Sequence, residues 1–399
     1  FLTASYNVPD VTLYGTGEWK ANFGQDSSFS GSKTAQGNGG TGEDFYYTPP
    51  TGFKALNTDN LPDPAIALPT DHFNSILYTG NGGTQALTGV GFAPDFFWNK
   101  NRTATYQHML YDTVRGVTKY LTSNDIDVEA TDANSLTSFD SDGVTLGSSG
   151  SSNATGVTAV GWSWKGGGAA VSNTDGSITS SVSANPTAGF SVVGYTSIST
   201  TVDETIGHGL SVAPEMVIVK NLDSAWNWDV YTPALSSGYD LKLNTTDAQA
   251  SGRWSTTAPT ASVVTLKYDY EHTSTNDYIA YCFHSVEGYS KIGAFTGAAT
   301  PGAFVYTGFK PAYLLVKSYS NAGNEWFIFD DKRYPRNVKV GKYLQAQSTA
   351  AEVTTAESWS PLDFLSNGIK FRYTQFNPSG YGMIYMAFAE SPFKTSNAR

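Results

Sequence analysis

A single cysteine, Cys282, occurs in 399 residues, so neither an intramolecular disulfide nor a cysteine-built zinc site can form, and packing must hold the fold. Positive charge is also scarce. Lys and Arg number 24 against 35 Asp and Glu, a formal net charge of -11, and no basic run offers the face that nucleic acid requires. No apolar stretch approaches the ~18 residues of a membrane span, and a 3.6-residue periodicity is nowhere sustained. The chain starts at Phe1 rather than Met, with no basic and then apolar leader, and reads as processed or as part of something longer.

Glycine (40 residues) and aromatics (14%) are plentiful, while charged residues of both signs reach only 15%. That balance predicts a turn-rich, all-β chain, and its length suits two to four domains.

One stretch organises the rest. Gly91-Phe92-Ala93-Pro94 runs through Asp95-Phe96-Phe97-Trp98-Asn99 to Lys100, and the pattern returns from Pro214 to Lys220 and from Pro311 to Lys317. Each time a Pro ends a turn, a mostly apolar run follows, and a Lys stands six residues after the Pro. This reads as one buried strand used three times. Its lysine is expected to end the strand by reaching the surface or by pairing with a carboxylate. A closing strand recurs at Val160–Trp164, Ile279–Phe283 and Ile384–Phe388, beginning 66, 65 and 73 residues after the Pro. Three anchors in register mark an internal repeat, and the strand density within each copy predicts antiparallel β-sandwich or jelly-roll-like modules.

The expected division is an N-terminal segment (1–70), module 1 (71–165), a Gly/Ser-rich linker (166–188), module 2 (189–288), module 3 (289–393) and a C-terminal tail (394–399). Short strands are expected at Asp10–Tyr14 and Gly17–Gly24, an exposed polar loop at Ser27–Gly42, and an edge strand inside the linker at Ser177–Val182. The linker predicts a semi-flexible joint between modules 1 and 2, whereas Ser285–Gly288 alone separates a stiffer second pair.

Candidate chemistry is sparse. His108, Asp112 and Arg115 lie close in sequence, but the surroundings read as strand and turn, a polar face fixing the turn before Gly116. His72, His208, His272 and His284 show no metal-ligand spacing. Asp140-Ser141-Asp142-Gly143 lacks the glycine position and closing Glu of a calcium loop and reads as a hairpin turn; Ca²⁺ binding by oxygen-rich acidic loops stays open without a specific motif. Gly37–Gly42 matches G-x-G-x-x-G, yet it sits in a polar loop with no helix to follow. Asp203-Glu204 and Asp330-Asp331 would point to opposite faces of a strand. Trp226, Trp228 and Trp326 remain candidates for stacking on sugar rings if exposed, and for core if inward. No catalytic or cofactor-binding residue emerges.

The blocks Tyr78-Thr79-Gly80-Asn81-Gly82, Gly91-Phe92-Ala93-Pro94 to Lys100-Asn101-Arg102, Tyr111–Gly116, Asp142–Gly147, Tyr281–Tyr289 and Met386–Glu390 resemble a module common in predicted virion proteins of marine tailed bacteriophages. Trp19 to Leu56 is similar to the closing part of the concanavalin-like (SPRY) domain that often precedes it. The resemblance implies a non-enzymatic, tail-fibre-like virion component on the particle surface, a homotrimer, with other virion proteins and a host-surface glycan or protein as partners. Two alternatives stand beside it: a polysaccharide-degrading tailspike and a purely architectural capsid or tail decoration subunit.

Overall fold

The computed structural model describes residues 23–40, 42–55, 60–61, 63–198, 201–252, 254–268, 275–299, 302–333, 341–355 and 361–396. The strand expected at 10–14, all of the one expected at 17–24 except Phe23 and Gly24, which form a bend, and His272 lie outside them. Residues 1–63 and 64–399 form two compact units. In the first, the described residues of Ser27–Gly42 are turns, bends and irregular chain, as the composition predicts, with a bridge pairing Asn38 and Phe45.

The second unit is all-β, and its ladders are antiparallel. Three six-strand arrays share one order. An opening strand (Phe73–Thr79, Phe190–Thr196 or Ser290–Thr296) pairs with the closing strand (Thr158–Trp164, Asp277–Phe283 or Gly382–Pro392). The closing strand pairs with the lysine strand (Phe96–Asn101, Met216–Asn221 or Phe309–Ser318). Then come a fourth strand (His108–Asp112, Asp229–Tyr231 or Phe327–Asp330), a fifth (Lys119–Thr122, Tyr239–Lys242 or Lys342–Gln345) and a two-residue edge. A sheet of two or three short strands covers the outer face of each array, completing three sandwiches.

The lysine strands read as apolar runs because both faces are buried. With a period of two, Phe97, Val217 and Leu314 enter the core of their own sandwich, while Phe96 and Trp98, Met216 and Ile218, and Tyr313 and Leu315 point into a common core between the modules. The closing strand alternates as expected: Val160, Trp162 and Trp164 face that hub, and Gly161 lies beneath the Phe97 ring, where a Cβ would meet it at 2.4 Å.

Trp164, Phe283 and Phe388 hold equivalent places, opposite Phe96, Met216 and Tyr313 on the lysine strands. Their rings meet pairwise at 6.4, 5.7 and 6.1 Å. The three modules therefore surround a pseudo-threefold axis within one chain. Aromatic burial of this extent, offset and edge-on, is a large source of cohesion.

Two expectations change here. Residues 166–188 are not a linker: Val171–Asn173 and Ser180–Asn185 extend the second array beyond its opening strand, from Ser180 opposite Tyr195 to Asn185 opposite Phe190. Small residues suit this edge because Gly167 and Ser180 run against neighbouring backbone, where bulk has no room. The joint between modules 1 and 2 is consequently no looser in construction than the next, since all three modules share the hub.

Candidate functional site

The repeated lysine is the first functional candidate, and it neither surfaces nor meets a carboxylate. Lys100, Lys220 and Lys317 are fully buried. Each sits on the hub face at the end of its strand, so its ammonium arrives at the seam with the next module. Lys220 donates to Ile126 O of module 1 (3.1 Å), Lys317 to Thr246 O of module 2 (3.1 Å), and Lys100 to Thr349 O of module 3 (3.2 Å). Those acceptors all lie four residues past the end of a fifth strand. Within their own modules the ammonium groups also bond Asn101 O, Asn221 and Trp226 O, and Asn324 O. Desolvation pushes each amine down to about 8.

The tryptophans follow the same cycle. His108 pairs with Lys100 across the ladder, and Trp228 and Trp326 stand one residue before Asp229 and Phe327, which pair with Val219 and Val316 beside the other two lysines. Trp228 Nε1 donates to Thr122 O and Trp326 Nε1 to Lys242 O, both at 2.8 Å, and His108 Nε2 lies 3.0 Å from Gln345 O. These acceptors are the last residues of the three fifth strands. Trp98 Nε1 donates to His108 Nδ1 (2.9 Å), so His108 is the neutral tautomer that carries its proton on Nε2. Burial and the nearby Lys100 charge hold its pKa well below the usual imidazole value. Trp228 and Trp326, candidates for sugar stacking, are 0% and 1% exposed and bind their neighbours instead. Trp226 is half-buried beside the Lys220 seam.

A third polar node appears at two seams and is replaced as a set at the other. Arg115 Nε meets Asp112 Oδ2 at 2.5 Å, and Tyr281 of module 2 donates its hydroxyl to the same carboxylate at 2.8 Å. Asp112 also accepts from Arg115 N, fixing the turn before Gly116 as its spacing suggested. Arg333 and Asp330 repeat the pair at 2.5 Å, with Trp162 Nε1 of module 1 donating at 3.0 Å. At the seam of modules 2 and 3 the matching places hold Thr232, Leu235 and Met386, all buried. Removing ion pair and donor together leaves no buried charge unmatched.

The seams differ most at their outer ends. Backbone bonds are equivalent: Glu129 N to Leu222 O, Gln249 N to Tyr319 O, and Glu352 N to Arg102 O. Side chains are not. Arg102 grips Glu352 with two bonds of 2.9 Å, and Arg333 and Lys342 stand 3.3 and 3.5 Å from the same carboxylate. Burial would raise that carboxyl, but the Arg102 bonds and the three cations hold it low. At the seam of modules 2 and 3, Tyr319 occupies the matching place and lies over Gly382.

Between modules 1 and 2 the matching residue is Leu222, and the seam opens into a groove of about 480 Å³. Arg115, Lys119 and Glu129 of module 1 form one wall. Leu222, Asp223 and Asp277 face them, and Ser172 and Ser181 from the two added strands, with Thr179 just before the second, supply a third side. Glu129 keeps Lys119 (2.9 Å) and Arg115 (3.6 Å), but its buried Oε2 makes no hydrogen bond, nor does Arg115 Nη1. Sequence reasoning passed over this place because its residues come from five separate stretches. The available signal was the difference among residues 102, 222 and 319, each two positions past the repeated lysine.

Among the described residues, no group of three or more His, Cys, Asp or Glu is placed to hold a metal ion. Asp140–Gly143 is a hairpin turn in which Asp142 accepts from the amides of Gly89 and Gly91.

A model of a domain of unknown function, DUF7483, matches residues 68–392, the span of the three modules. The chain belongs to the DUF7483 family. Neither the curated proteins nor the solved structures contain a match to it.

Proposed function

We propose that this chain is a non-enzymatic structural protein of a phage virion, tail-fibre-like or another surface appendage, which attaches the particle to the host surface. The observation that carries the reading is the groove between modules 1 and 2. In a body whose lysines, indoles and ion pairs fasten modules together, this is a place where the repeat is broken and polar groups face outward space. Copies of one module share what the fold needs, and binding is expected where they diverge. The phage assignment draws its support from the resemblance of the repeated motifs, and the same resemblance supports association into a homotrimer alongside other virion proteins.

The test is binding of the fluorescently labelled full chain to host cells, with and without Ca²⁺, together with its mass in solution. Saturable binding is expected. Absence of binding in both conditions would sink attachment in favour of an architectural subunit, and steady release of reducing ends from host polysaccharide would replace it with a tailspike.

A further inference from the structure

The three seams of one chain act as comparisons for one another, and they point to the chemistry of the groove's ligand. At the seam of modules 3 and 1, the carboxylate of Glu352 is met by a guanidinium from across the seam, Arg102, besides Arg333 and Lys342 of its own module. Glu129 has the corresponding Arg115 and Lys119 but faces Leu222. Two further places change in the same sense. Asp223 stands where module 1 has Thr103, and Asp277, which starts the closing strand, stands where module 1 has Thr158. Relative to its counterpart, this seam has lost one cation and gained two carboxylates.

The loss is not filled by the chain. Asp223 and Asp277 are exposed at the rim, held by a bond from Asp277 N to Asp223 Oδ2 and one from Thr196 Oγ1 to Asp277 Oδ1, which leaves their outer faces to solvent. Glu129 Oε2 is buried at the floor, where it makes no hydrogen bond and stands 3.6 Å from Arg115 Nη1, itself without an acceptor. A cavity of ~300–1,000 Å³ is the usual size of a small-molecule site, and this one falls within that range. Ser172, Thr179, Ser181 and Thr196 line it with hydroxyls, while Val114 and Leu222 offer apolar patches suited to the C–H face of a sugar ring.

We propose that this groove binds an amino sugar of the host surface, its protonated amine taking the place at Glu129 that Arg102 takes at Glu352. The assignment rests on the attachment reading for its source of ligand, but its chemistry can be tested apart from cells. A primary amine supplies donors and charge to the Glu129 carboxylate and the rim carboxylates, and the sugar hydroxyls can both donate to and accept from the serine and threonine wall. N-acetylation removes that charge.

The experiment is calorimetric titration of the full chain with a glucosamine disaccharide at about pH 6, where an amine keeps its proton. The N-acetylated disaccharide and agmatine, which carries an amine and a guanidinium but no sugar, are the comparison ligands. Binding of the free amine, at least about tenfold tighter than the acetylated form, is expected. Leu222→Arg should rebuild the closed seam and abolish binding with thermal stability equal to or above that of the parent. Glu129→Gln should weaken binding by about tenfold or more. Equal binding of the acetylated sugar, retention of binding by Leu222→Arg, or no binding of the amine would overturn the proposal. Binding of agmatine alone would overturn the sugar assignment in favour of a basic protein side chain. Failure here is separable from failure of attachment: cell adhesion unchanged by Leu222→Arg removes this site but keeps the attachment role, whereas amine binding without cell adhesion does the reverse.

Discussion

Lys100, Lys220 and Lys317 enter the three seams as ammonium groups held by carbonyl oxygens, and burial pushes each of them down to about 8. In the unfolded chain the same amines keep their protons to ~10.4. Between those values the unfolded state binds more protons than the folded one, so stability rises with pH, and it does so by at most ~4 kcal/mol per pH unit if all three titrate independently. Cys282 opposes the trend. Its thiol is pushed up to about 12 by burial, whereas an unfolded cysteine ionises near ~8.5, so it subtracts ~1.4 kcal/mol per unit above that value. The net expectation is a gain of up to ~2.7 kcal/mol per unit between roughly pH 8.5 and 10. Above ~10 the buried tyrosines, among them Tyr111, Tyr281 and Tyr313, reverse the sign, because burial raises their folded values while unfolded phenols ionise. Urea midpoints at about pH 7.5, 8.5 and 9.5 measure this slope, and Lys220→Met should remove about one proton's worth of it. A midpoint that stays flat or falls over that window, or a variant with the parent slope, refutes the assignment of three desolvated seam lysines.

On the acid side, His108 is a buried neutral donor whose folded pKa lies well below its unfolded ~6.5, so stability is complete above that value and is lost as pH falls below it. His108→Gln should remove that share of the loss; His208, also lowered mainly by burial, adds its own. Asp330→Ala should cost ~3–5 kcal/mol in urea denaturation because Arg333 is left buried without its partner, while Asp330→Thr with Arg333→Leu, the pair found at 232 and 235, should cost less than that single change. If the double variant is as damaging as the sum of its parts, the seams are not interchangeable. Trp228→Phe should lose ~1–3 kcal/mol by stranding Thr122 O, with ligand binding in the groove unaltered, and a binding defect would count against Trp228 as a seam fastener.

Much of the fold could be read from local pattern. The Pro-to-Lys run is a strand in all three copies, the closing strand alternates as written, and Asp142-Gly143 turns a hairpin, because strand period and turn chemistry depend on neighbours a few residues away. Composition misled at residues 166–188, since small polar residues serve close-packed strands at a sheet margin as well as a linker. It left the lysine open for a related reason. Strand period places Lys100 on the hub face, yet whether that face meets water, a carboxylate or another module depends on what packs there.

The sequence by itself determined an all-β chain of three repeated sandwich modules and the shared face of Val160, Trp162 and Trp164, consequences of repeats and alternation. Only the tertiary structure decided that the modules close on one another around Trp164, Phe283 and Phe388, that Lys100 reaches Thr349, and that Glu129 lies across from Leu222 rather than from an arginine. Those partners stand roughly 90 to 250 residues apart, and what joins them is shape and desolvation at a seam between folded bodies, which no spacing along the chain encodes.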